Sequence, residues 1–190
     1  MKAIIALLEP NPRPTQKSRV GNCRIEIYSL PGSKIRSVKA DAVVVLVDRT
    51  RFIGDPFNKM IRDACTWDIQ DRINELPPLN TGEAQAIALD QGPAKHMILA
   101  NIFDENKLTN PELLNLSLNA IFKVAEQLKA QSMLVPDFTD EFNYFQKRTG
   151  PELAANTIRT AIERNPNIVN LVKVFIANSA YTQTYTDIFK

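Results

Sequence analysis

The sequence predicts an α/β protein, a three-layer α/β/α sandwich around a mixed central sheet, and three observations carry that expectation. Residues 42–47 (AVVVLV) form an apolar run without polar alternation, as expected of a strand covered on both faces. Three times a capping-type residue stands directly before a proline, at Asp55-Pro56, Asn110-Pro111 and Gly150-Pro151. The first turn of a helix accepts proline, because an N–H there has no intrahelical partner to lose. Through the second half of the chain, strand-like and helix-like stretches alternate, the order that lays helices over a sheet.

In chain order, residues 3–8 (AIIALL) read as a first strand. Pro10, Pro12 and Pro14 interrupt residues 9–20, which read as a long surface connection because each proline removes a backbone donor. Further strands are expected at 23–30, 42–47, 85–89, 97–100 and 172–177, with a short one at 133–135. After Asp55, the side chains of Phe57, Met60, Ile61 and Ala64 fall on one helical face. Leu114, Leu118, Ile121, Phe122, Ala125 and Leu128 do so behind Asn110, and Ala154, Ala155, Ile158, Ala161 and Ile162 behind Gly150, where Asn165-Pro166 closes the run. A last helix is expected from about Ala180, carrying Tyr181, Tyr185, Ile188 and Phe189. With no internal repeat or low-complexity tract, residues 1–190 read as one domain, of which 1–20 are the amino-terminal strand and its proline-rich connection.

The totals narrow the function classes. Hydrophobic residues at 44% and charged residues at 23% are those of an ordinary globular chain. A formal charge of +2, with Lys and Arg scattered along the sequence, argues against nucleic acid as the partner. Met1 to Leu8 resembles a signal peptide only briefly: its apolar run is short, and Glu9-Pro10 follows without a small-residue cleavage pattern. No stretch has the apolar length that a membrane span needs. Cys23 and Cys65 are the only cysteines, too few for a disulfide framework or a metal cluster; two buried free thiols in a reducing, cytoplasmic setting are expected.

One motif is more specific. Thr81-Gly82-Glu83-Ala84, an apolar strand, and then Pro93-Ala94-Lys95-His96-Met97-Ile98 resemble the middle of a macro domain, where a TGEA turn leads into one strand and a "PAKYVIH"-type segment opens the next. Lys39-Ala40-Asp41-Ala42-Val43-Val44 resembles that family's "DAIVNAAN" strand entry, Leu114-Asn115-Leu116-Ser117-Leu118-Asn119 its long following helix, and Val172-Lys173-Val174-Phe175 through Tyr181 and Tyr185 its closing strand and helix. The Ala42 strand and Asp55 helix are loosely similar also to the amino-terminal domain of leucine aminopeptidases. Macro domains typically bind ADP-ribose, and some hydrolyse ADP-ribosyl bonds. The resemblance therefore implies a nucleotide-derived small molecule as ligand, and neither a cofactor nor a metal.

Position by position, the resemblance implies a much altered site. The family's adenine-binding Asp falls at Lys34, the first Asn of "NAAN" at Val45 and the second at Asp48. The Gly-rich diphosphate loop becomes Gly54-Asp55-Pro56-Phe57, and the second phosphate loop becomes Thr139-Asp140-Glu141-Phe142-Asn143-Tyr144. Diphosphate is held in such loops by converging backbone N–H groups, which glycine lets approach closely. Here Pro56 has no N–H, and Asp55, Asp137, Asp140 and Glu141 bring negative charge to the phosphate position. Two like charges about 4 Å apart repel by roughly 4 kcal/mol at an effective dielectric near 20. Arg49 and Arg51 answer this either as phosphate clamps or as plain surface residues. The expected ligand-binding set is Asp48, Arg49, Gly54, Asp55, Phe57, Asp137, Thr139, Asp140 and Phe142, with no catalytic residue.

Competing chemistry finds less support. His96 is the only histidine and opens a strand with no nucleophile indicated beside it, so a structural role is expected. Asp48, Asp55, Asp137 and Asp140 lack the fixed spacing of a cation loop and read as caps and solvated acids, Asp55 as a helix N-cap. Phe142, Tyr144 and Phe145 fit an aromatic lid and a hydrophobic plug equally well. Three readings follow in order: a non-catalytic module taking an ADP-ribose-like or other nucleotide-derived ligand by altered contacts, an interaction scaffold whose crevice has closed, and an ADP-ribosyl hydrolase with replaced residues.

Overall fold

A computed structural model describes residues 12–29, 31–50, 56–139 and 149–190. Along them run β1 (Gln16–Val20), β2 (Cys23–Tyr28), a 3-10 turn (Gly32–Ser37), β3 (Ala40–Leu46), α1 (Pro56–Ala64), α2 (Ile69–Asn74), β4 (Ala84–Ala88) and β5 (Ala94–Ala100). Then follow α3 (Pro111–Gln127), β6 (Ser132–Pro136), α4 (Gly150–Arg164), β7 (Leu171–Phe175), a second 3-10 turn (Ser179–Tyr181) and α5 (Thr182–Phe189). The strands form one mixed sheet in the order β1-β2-β7-β6-β3-β5-β4. Its five inner strands are parallel, while β1 and β4 close the edges antiparallel.

Helices cover both faces, as the fold class requires. Strand residues alternate between two cores. Ala42, Val44 and Leu46 join Ile25, Val174 and the apolar stripes of α3, α4 and α5. Val43, Val45 and Val47 join Phe57 and Ile61 of α1, Ile69 and Ile73 of α2, and Ile35 of the 3-10 turn. Val43 and Val45 are fully buried, which explains why β3 carries no polar alternation: it lies inside the sheet with a helical layer on either side.

The differences from the sequence expectation have local causes. Residues 16–20 are not a surface connection but the edge strand β1, paired with β2 from Gln16↔Ile27 to Val20↔Cys23. Pro10, Pro12 and Pro14 all precede this strand, so they mark where pairing starts rather than forbid it. The Gly150-Pro151 helix is preceded by Thr149, and Gly150 is its first residue. The last helix starts at Thr182, behind the 3-10 turn. Helix α2 lacks a long apolar period, with only Ile69 and Ile73 buried, so the sequence pattern carries no helix signal there. Cys23 is buried as expected, whereas Cys65 is only half-buried. Burial pushes both thiols up to about 11. The expected strand at 3–8 and the Asp55 cap lie outside the described residues.

Candidate functional site

At β3 and β6 the connections of neighbouring strands part to opposite faces of the sheet. Strand β3 leads into α1 on one face and its neighbour β6 into α4 on the other. In open parallel sheets such a switch point makes a crevice beyond the carboxyl ends of the strands. Here the pairing of the two strands also stops short. Strand β3 pairs with β5 as far as Leu46↔Ala100, but with β6 only at Ala42↔Met133 and Val43↔Leu134.

The end of that ladder leaves the end of β3 without a strand partner on this side, and α1 supplies a substitute. Asn58 is buried. Its Oδ1 accepts from the Leu46 N–H at 3.1 Å, and its Nδ2 donates to the Leu46 carbonyl at 2.9 Å. One amide side chain thus replaces a strand neighbour, satisfying a buried donor and acceptor. Nothing in the sequence singled out Asn58, because its partner is a backbone group that acquires the need only where pairing with β6 ends. The contact also places the first turn of α1 at the mouth of the crevice. Helix α4 runs back from β6 to the parallel β7 on the other face, so the amino termini of α1 and α4, each with its positive partial charge, lie toward the same end of the sheet.

Among the expected site residues, Asp48 opens the turn after β3, where two groups already hold it. Lys107 Nζ lies 2.7 Å from its Oδ2, and Thr50 N–H donates to its Oδ1 at 2.7 Å. Partial burial works to raise its pKa, but the bonds from Lys107 and Thr50 outweigh it and hold the carboxyl below the ordinary value. Lys107 takes a left-handed backbone conformation (φ 60°) in the loop between β5 and α3. No sequence signal connected it to the site. Arg49 is exposed.

Asp137 and Thr139 follow β6 and are both buried. The Asp137 carboxylate accepts from Thr139 N–H at 2.9 Å and from Ala177 N–H at 3.2 Å, tying the end of β6 to the chain beyond β7. The Tyr185 hydroxyl of α5 donates to the Asp137 carbonyl and lies 3.1 Å from Thr139 Oγ1. Asp137 thus turns inward on backbone donors. Phe57 is buried against Phe175, their ring centroids 5.7 Å apart, and Val45 is wholly inside the same core. Lys34 is exposed on the 3-10 turn. Gly54, Asp55, Arg51, Asp140, Glu141, Phe142, Tyr144 and Phe145 lie outside the described residues.

His96 sits in β5 opposite Ala42 and Ala88, near the start of the parallel strands and at the far end from the crevice. Among the described residues no group of three or more His, Cys, Asp or Glu side chains is placed to hold a metal ion. No described helix is long and apolar enough to cross a membrane.

No family model matches the sequence, and no curated protein matches it either. Solved structures do. A Trypanosoma brucei macrodomain in complex with ADP-ribose is 16% identical, with a TM-score of 0.72 over 92% of this chain and 73% of its own. An Oceanobacillus iheyensis macrodomain with MES bound is 18% identical, with a TM-score of 0.74 over 91% and 94%. The same macrodomain with ADP has a TM-score of 0.72 at 18% identity, over 91% and 93%. The chain therefore has the macro-domain fold, at an identity that speaks for architecture alone.

Proposed function

We propose that this chain is a non-catalytic binding module for an ADP-ribose-like, nucleotide-derived ligand, held in the crevice between the carboxyl ends of β3 and β6. The observation that carries the reading is the end of β3–β6 pairing beyond Val43 and Leu134, with the first turn of α1 brought to the end of β3 by Asn58. Two helix amino termini at that end of the sheet favour an anionic group there. Two neighbours of the same fold were solved with ADP-ribose and with ADP, which supports a ligand of that chemistry.

The acids fit this reading better than their sequence positions suggest. Lys107 neutralises Asp48, and Asp137 is engaged by two backbone N–H groups, so neither is an unanswered charge. Binding rather than hydrolysis is supported by Val45, which brings only methyl groups where hydrolytic members are expected to use Asn, and by the remoteness of His96.

Calorimetry with ADP-ribose at low salt tests the binding. A dissociation constant in the micromolar range is expected, with AMP and ribose 5-phosphate each at least ten-fold weaker. Absence of heat and of any thermal protection at millimolar ADP-ribose sinks the proposal in favour of a closed scaffold. Incubation with a mono-ADP-ribosylated protein, followed by mass spectrometry, should show no release. Turnover would establish a hydrolase instead.

A further inference from the structure

A second surface lies away from the crevice. On β1 and β2 the residues that alternate with the Ile25 and Ile27 core positions are Lys17, Arg19, Arg24 and Glu26, and on β7 they are Leu171 and Lys173. They share the sheet face opposite α3, α4 and α5. The first 3-10 turn and α1 cover only its far end, at Tyr28 and Phe175. Lys17, Arg19 and Arg24 are exposed, and none makes a salt bridge among the described residues.

Three exposed cations, the half-buried Lys173 and one carboxylate therefore share a patch that no described element covers. Arg19 stands directly opposite Arg24 in the β1–β2 register, and like charges opposed across a sheet are destabilising unless something answers them. Glu26 is the one acid on β1, β2 and β7: it lies opposite both Lys17 and Lys173 and accepts from the Tyr28 hydroxyl at 2.7 Å. Lys173 Nζ is turned inward, donating to the Lys39 carbonyl at 2.6 Å and lying 5.8 Å from the centre of the Tyr28 ring. It adds field under the patch rather than contact. Lys39 itself reaches away to the Gly92 carbonyl, and Asp41 is occupied by Lys95 and Ser132.

We propose that this face binds single-stranded nucleic acid, with Lys17, Arg19 and Arg24 on successive phosphates and the two guanidinium planes available to unstacked bases. Neighbouring cations on such a sheet are spaced on the order of 5–7 Å, a pitch suited to a regular polyanion. The right-handed twist makes the face a saddle, along which a flexible strand lies more easily than a flat bilayer. No large apolar side chain is exposed on it for insertion into lipid. Arginine serves both phosphate contact and base stacking, which favours a nucleic-acid strand over an acidic peptide. The surface is independent of the crevice and of what the crevice binds.

Fluorescence anisotropy of the full chain with a labelled 20-nucleotide oligo(dT) and oligo(U) tests it. Binding should weaken with a log–log salt slope of about −2, which is about fifteen-fold between 50 and 200 mM salt, for three contacted phosphates on a single strand. Arg19→Glu with Arg24→Glu should abolish binding, and Arg19→Gln with Arg24→Gln should reduce it at least five-fold. Lys123→Glu with Lys190→Glu, the same change in net charge elsewhere, should leave it within two-fold. Circular dichroism confirms folding of each variant, and saturating ADP-ribose should not displace the oligonucleotide. The proposal is overturned by absence of binding at 50 mM salt, by equal loss in the Lys123/Lys190 control, or by tighter binding to phosphatidylserine vesicles or polyglutamate than to either oligonucleotide.

Discussion

Asn58 shows how one side chain can hold a site open. The Leu46 N–H and carbonyl that it satisfies lie at the point where β3 loses β6. Asn58→Ala leaves two buried backbone groups to find new partners, at about 1–3 kcal/mol each. A loss of about 2–4 kcal/mol in urea unfolding is expected, together with weaker ADP-ribose binding; an unchanged urea midpoint would show that water replaces the amide at no cost. Asp41 gives a pH prediction. Burial works to raise its pKa, but bonds from Lys95, Ser132 and Gln131 outweigh that and hold the folded-state value below the ordinary one. A depressed carboxyl contributes stability that is complete above the unfolded-state value of about 3.9 and is lost as pH falls through the folded-state value. Urea midpoints measured between pH 6 and pH 2.5 should fall at the acid end, and Asp41→Asn should flatten that fall. An equal acid slope in the variant assigns the effect to other carboxylates.

Among the elements, α3 and the turn before β4 show which sequence signals carry mechanical meaning. The Asn110 side chain accepts from the Leu113 N–H at 2.9 Å, so Asn110→Ala should cost about 0.5–2 kcal/mol in unfolding free energy. In the TGEA turn, Gly82 has φ +84°, and a Cβ there would stand 2.3 Å from Leu116 Cδ2. Its N–H donates to the Asn101 carbonyl at 2.8 Å, and Thr81 Oγ1 donates to the Phe103 carbonyl at 2.6 Å. Glycine is required by backbone conformation and by close approach alike. Gly82→Ala should destabilise by about 1–2 kcal/mol from backbone strain alone. Adding Leu116→Ala should relieve only the steric part, so full rescue in the double variant would refute a backbone origin.

For the whole molecule, ligand binding and stability are linked. A ligand at a hundred times its dissociation constant adds about 2.7 kcal/mol to the folded state. For a chain of this size that raises Tm by roughly 5–11 °C. ADP-ribose should produce such a shift if the crevice is open, and Asn58→Ala should shrink it by more than it lowers the starting Tm. A ligand-independent Tm in the wild type, at concentrations where calorimetry reports saturation, contradicts a single folded binding site.

The sequence by itself determined the layer architecture, because burial on both faces of β3 and the apolar stripes of α1, α3 and α4 are properties of residues close together in the chain. The TGEA turn was legible for the same reason: a left-handed glycine and its neighbours are a local constraint. What only the tertiary structure decided depends on partners far apart in sequence. Residues 16–20 became a strand because β2 offered an edge, and Asp137 became a structural acceptor because Ala177, forty positions later, brought it an N–H. Asp48 gained Lys107 through a loop that starts two strands later. Lys17, Arg19, Arg24 and Lys173, scattered in the sequence, reach one face because β1, β2 and β7 are neighbours in the sheet. Hydrogen bonds and charges act over a few ångströms of space, so their partners exist only once the sheet order does.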